Sequence, residues 1–115
     1  MIILPDCYIG INCKNIDKLI KKLNKGTVLK NFFIVCFCNN ASRLEIISSR
    51  MFLLKHFRNQ NYEICAVVED ENTAFEYVKV LTDISYKEFN DFNPRFAVSN
   101  ISLNKIKKVM LEEDN

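Results

Sequence analysis

Glycine is almost missing from this chain: Gly10 and Gly26 are the only two in 115 residues. Walker-type phosphate loops and dinucleotide fingerprints need several glycines at fixed spacing, because the backbone must come close to the phosphate. Both are excluded. Histidine is reduced to His56, and no Cys-x-x-Cys occurs, so no zinc-ligand pattern is present. Tryptophan is absent and there are two prolines. No apolar run reaches the about 18 residues of a membrane-spanning helix, and on that ground no membrane partner is expected. The longest run, Phe32 to Cys38, has the length of a buried strand. The opening Met-Ile-Ile-Leu-Pro-Asp lacks a basic region, and Pro5 and Asp6 interrupt it too early for a signal peptide. A cytoplasmic location is expected. The five cysteines are odd in number and follow no framework spacing, which points to reduced thiols buried as small hydrophobes.

What is present is ordinary in amount and uneven in placement. Hydrophobic residues make up 49% and charged residues 26%, as in globular domains of this length, so one domain over 1–115 is expected. Net charge is +2, yet residues 1–60 carry ten basic and three acidic groups while residues 61–115 carry six and eleven. The halves are therefore +7 and −5. Such asymmetry suits a basic binding face, or two halves that neutralise one another.

Hydrophobic period switches along the chain. Residues 7–13 alternate, with Cys7, Ile9, Ile11 and Cys13 on one face, as a half-buried strand does. Residues 16–25 take the helical period, with Ile16, Leu19, Ile20 and Leu23 as the stripe and Gly26 as the stop. Val28 to Cys38 reads as a central strand. Ser42-x-x-Glu45 reads as a capping box opening a helix to about Arg58, striped by Leu44, Ile47, Met51 and Leu54. Ile64 to Val68 is another strand, and Thr73-x-x-Glu76 caps a helix through about Ile84. Phe96-Ala97-Val98 suggests a short fourth strand, and Leu103, Ile106 and Met110 mark a last helix. The expected fold is α/β: a single small three-layer domain with a mostly parallel sheet of three to four strands, helices on both faces, and a Rossmann-like order β-α-β-α-β-α-(β)-α. Function in such a fold concentrates at the carboxyl ends of the strands. Here these are Asn12-Cys13-Lys14, Cys38 to Ala41, and Glu69-Asp70-Glu71.

Several residue groups bear on chemistry. Cys36 and Cys38 precede the expected long helix, with Arg43 just inside it. A thiolate at a helix N-terminus beside arginine is what a phosphate-handling cysteine enzyme uses. Val35 to Arg43 loosely resembles the strand–loop–helix of low-molecular-weight tyrosine phosphatases. That family has five residues between Cys and Arg; here six follow Cys36 and four follow Cys38, and the loop glycine is missing. The resemblance implies a small cysteine-dependent phosphoryl-transfer enzyme, kept as one alternative. Lys30 to Phe37 echoes the RNP1 pattern of RNA-recognition motifs at Lys30, Phe32, Val35 and Phe37, but both glycine positions differ. A buried central strand explains it. Glu69, Asp70 and Glu71 are candidate ligands for a hard cation, although charge complementing a helix N-terminus accounts for them without metal.

The remaining candidates are surfaces. Lys14, Lys18, Lys21, Lys22 and Lys25 form a basic helix face that suits phosphate backbone or an acidic protein. At 100° per residue Phe52 falls among Glu45, Ser48, Lys55 and His56, opposite the apolar stripe. An exposed phenylalanine there suits an interface anchor; the alternative is that the irregular 85–95 segment, with Phe89 and Phe92, packs over it. Phe89 and Phe92 lie in a loop-like stretch. No catalytic constellation, cofactor or metal site is expected. The chain reads as a non-catalytic protein-binding module, such as a regulator, an inhibitor or a toxin-neutralising immunity protein. Its partner-binding residues are Phe52, His56, Phe89, Phe92, Lys18, Lys21, Lys22 and Lys25. Nucleic-acid binding through the basic half is an alternative, and a homodimer pairing the oppositely charged halves is left open.

Overall fold

The computed structural model describes residues 1–10, 13, 15–27 and 30–113. It is a small α/β domain with a four-stranded mixed sheet and five helices. The strands are β1 (Ile2–Ile9), β2 (Phe33–Cys38), β3 (Glu45–Ser48) and β4 (Tyr62–Val68). The helices are α1 (Ile16–Lys25), α2 (Lys55–Arg58), α3 (Glu71–Phe89), α4 (Pro94–Asn100) and α5 (Leu103–Glu113), and a 3-10 turn covers Ser49–Leu53.

The sheet order is β1-β4-β2-β3. Only β1 and β4 are parallel neighbours; β2 runs against both β4 and β3. The mostly parallel sheet and its order are therefore corrected. β1 leaves the sheet beside Val67, and β2 re-enters with Phe33 opposite Val68. The chain thus returns to the end it left, with α1 on the way. Hydrophobic period reports burial and says nothing of strand direction, so the pattern fitted either course.

The largest correction is the helix expected over 42–58. The turn Cys38-Asn39-Asn40-Ala41 closes with Ala41 N–H on Cys38 C=O at 2.9 Å, and Asn39 and Asn40 both sit at positive φ. Asparagine tolerates this conformation, which suits the twist of a hairpin. β3 then pairs along β2, giving that strand's second edge its hydrogen bonds. Ile46 and Ile47 fit a strand better than a helix because they are β-branched. The long helix is replaced by β3, the 3-10 turn and the four-residue α2.

Other boundaries also move. The first strand is Ile2–Ile9, with Ile11 and Asn12 of the expected 7–13 outside the described residues. The second strand begins at Phe33, and Val28 and Leu29 lie outside the described residues. α3 starts earlier than expected, because Asp70 rather than Thr73 caps it: its Oδ1 accepts from Thr73 N–H at 2.7 Å. It also continues past Ile84 to Phe89. The expected strand at Phe96 to Val98 is inside α4, which Asn93 caps and Pro94 opens.

Each face of the sheet carries an apolar cluster. Val35, Phe37, Ala66 and Val68 pack with Tyr77, Leu81, Ile84, Ala97 and Ile106 from α3, α4 and α5. Ile34, Cys36, Ile64 and Val67 pack with Leu23 of α1 and Phe52 of the 3-10 turn. Cys65 joins Ala66 on the first face because a bulge sets Val35 opposite Ala66 and Cys36 opposite Ile64.

Candidate functional site

The phosphatase-like arrangement does not form. No helix follows Cys38, and Arg43 stands exposed in the β2–β3 loop. Cys36 is fully buried, and removal from water pushes its thiol well above the ordinary range. The same burial raises Cys7 and Cys65 to about 12, and Cys38 to about 11 with help from Glu45. A thiol held protonated is a poor nucleophile. The RNP1-like strand is central, and helices cover both of its faces, leaving no platform for bases.

Glu69, Asp70 and Glu71 take separate tasks. Asp70 caps α3 and Glu71 lies in its first turn. Glu69 folds over Gly10, its Oε2 just 2.5 Å from where a Cβ on Gly10 would stand. A side chain at position 10 would require the Glu69 carboxylate to move aside. Among the described residues no group of three His, Cys, Asp or Glu side chains is placed to hold a metal ion.

Phe52 is not a surface anchor. It is 1% exposed, with ring centroids 5.2 Å from Tyr62 and 6.3 Å from Phe57. The 100° spacing that put it on a polar face does not apply to a strand followed by a 3-10 turn. His56 is exposed on α2, where the Gln60 side-chain amide donates to its Nε2 at 3.1 Å. Lys18, Lys21 and Lys25 are exposed along α1, while half-buried Lys22 shares a groove with Arg50. Thus Phe52, His56 and the α1 lysines sit on one side of the sheet.

Phe89 and Phe92 come together on the other side, at the α3–α4 corner. Phe92 is 64% exposed and stacks on Tyr86 at 4.7 Å; Phe89 meets Phe96 edge-on at 5.2 Å. The loop beneath is closely tied. Asn90 takes a left-handed conformation and donates its N–H to Tyr86 C=O at 2.9 Å. The buried Ser85 hydroxyl donates to Asp91 C=O at 2.6 Å, and Asp91 Oδ1 accepts from Asn93 N–H at 2.7 Å. No part of this corner was placed by hydrophobic period, because its aromatics are solvent-facing and its turn is held by side chains.

Comparison with family models, curated proteins and solved structures gives no match. A further candidate is an open cavity of about 320 Å³ where the β1 register shifts between Ile3 and Tyr8, with Asp6, Glu63, Arg95 and Ser99 in its lining; a larger one, about 530 Å³, is lined by Cys38, Glu45, Met51, Gln60 and Glu71. Sequence reading missed the residues of the smaller cavity. Arg95 holds Glu63 through both Nη atoms, at 3.3 and 2.8 Å, and gives Nε–H to Ala41 C=O at 2.8 Å. Its guanidinium lies 4.3 Å above the Phe37 ring. These hydrogen bonds hold the Glu63 carboxyl below its usual range. Arg95 is thereby committed to clasping α4, β4 and the β2–β3 loop, which makes it a structural tie.

Proposed function

We propose that this chain is a non-catalytic protein-binding module, of the regulator, inhibitor or immunity kind, that docks through its α3–α4 corner. The observation carrying this reading is the exposed pair Phe89 and Phe92, set with Tyr86 on a hydrogen-bonded turn. Aromatic side chains held rigid in the free protein lose little freedom on binding, which is how interface anchors gain their energy. The protonated thiols also favour a binding role over thiolate chemistry.

The test compares wild type with Phe89→Ser/Phe92→Ser in affinity capture from native lysate, read by mass spectrometry. The reading expects a protein retained at high salt by wild type and lost from the variant, with circular dichroism unchanged. Identical capture by both sinks the assignment.

A further inference from the structure

Basic charge is concentrated on two elements at one face of the sheet. α1 and the segment Ser49–Arg58 hold seven Lys and Arg residues against one carboxylate, Asp17. Among the described residues, ion pairs lie on the opposite side, Arg95 with Glu63 and Lys105 with Glu88. The two basic elements adjoin: Lys22 and Arg50 line one groove, and the Arg58 guanidinium lies against Gly26.

Between Arg50 and Lys55 the chain exposes Met51, Leu53 and Leu54, the leucines at 48% and 54%, with Met51 bordering a separate groove that also holds Glu45 and Glu71. The leucines are held outward by their neighbours. Phe52 anchors the turn in the core, and Arg58 Nη1 donates to the carbonyls of Phe52 and Leu53 at 2.8 and 2.9 Å. Both bonds fix the backbone that carries the leucines.

Cations alone fit any polyanion. Nucleic acid would use the lysines and leave the aliphatic side chains in water, and with Phe52 buried and Phe57 half-buried these elements offer a base only the His56 imidazole. A bilayer with anionic headgroups uses both features: basic side chains at the headgroups and aliphatic ones at the acyl boundary. We infer that the α1 and 3-10 turn face docks this protein on anionic membrane surfaces, with Leu53 and Leu54 entering the interface. Among the described residues no helix is long and apolar enough to cross a membrane, and lying on one requires none.

Co-sedimentation of the full chain with phosphatidylserine–phosphatidylcholine vesicles, against pure phosphatidylcholine, tests this. Binding should need the anionic lipid. Lys21→Gln/Lys25→Gln should weaken it about 25-fold, at about fivefold per cation. Leu53→Ser/Leu54→Ser should weaken it by about tenfold or more. The Phe89→Ser/Phe92→Ser protein should sediment like wild type, so this result and the protein-docking result stand apart. Absence of sedimentation with the anionic vesicles overturns the proposal. So does binding that the leucine pair leaves unchanged, since charge alone then suffices and a nucleic acid or acidic protein becomes the better occupant.

Discussion

Phe52 illustrates how a single residue's role depends on the backbone beneath it. Placed on a regular helix, it would face Lys55 and His56; on the 3-10 turn it fills the space between Tyr62 and Phe57. Phe52→Ala should therefore cost about 3–5 kcal/mol, as large-to-small core changes do, measured by urea unfolding. A change under about 1 kcal/mol, typical of exposed sites, would contradict its burial. Gly26 is as specific for a different reason. Its φ is +67°, and an added Cβ would stand 2.1 Å from Arg58 Nη1. Gly26→Ala should lower stability by about 1–2 kcal/mol from the left-handed backbone alone, with a further loss from displacing Arg58. The thiols give a chemical check. At mildly alkaline pH, a disulfide reagent should modify Cys7, Cys36 and Cys65 only at the rate of unfolding. Rapid labelling of native protein would show that burial does not suppress them.

At the scale of elements, hydrophobic period located most segments and failed where two readings were both amphipathic. Leu44, Ile47, Met51 and Leu54 satisfy helical spacing, yet Ile46 and Ile47 serve opposite faces of a strand. The decisive local signal was Asn39-Asn40, two residues that accept positive φ in a tight turn. Asn40→Val should destabilise the domain by about 1–2 kcal/mol through the left-handed penalty, whereas Asn40→Gly should leave stability equal or slightly higher. A thermal melt of both variants decides this. In the same way, Asn93-Pro94 is a helix-opening pair, and the strand expected at Phe96 to Val98 hid α4. The α1 lysines were legible because their helix is isolated in sequence by Asn15 and Gly26. The aromatic corner was legible only as two loop-like phenylalanines; its hydrogen-bonded turn was not.

For the whole molecule, the clasp made by Arg95 links β4, α4 and the β2–β3 loop, which are far apart in the chain. Because the folded Glu63 carboxyl is held below its unfolded value, its contribution is complete above the unfolded pKa, about 4.3, and disappears as pH falls through the lower folded value. Urea unfolding from neutral pH down to about pH 3 should show wild type more stable than Glu63→Gln at neutral pH, the gap closing through the acid range. A gap constant with pH would mean that packing rather than charge sustains the clasp.

By itself the sequence determined the chain's composition class, its mixed α/β character, the two unequal charge halves, and the absence of glycine-rich phosphate loops. These follow from local quantities: residue type, spacing and period. Tertiary structure alone decided strand direction, the hairpin in place of a helix, the burial of Phe52 and the clasp around Arg95. Each of these depends on which distant segment supplies a strand's missing hydrogen bonds or fills a side chain's space, and period along one segment carries no information about its neighbour.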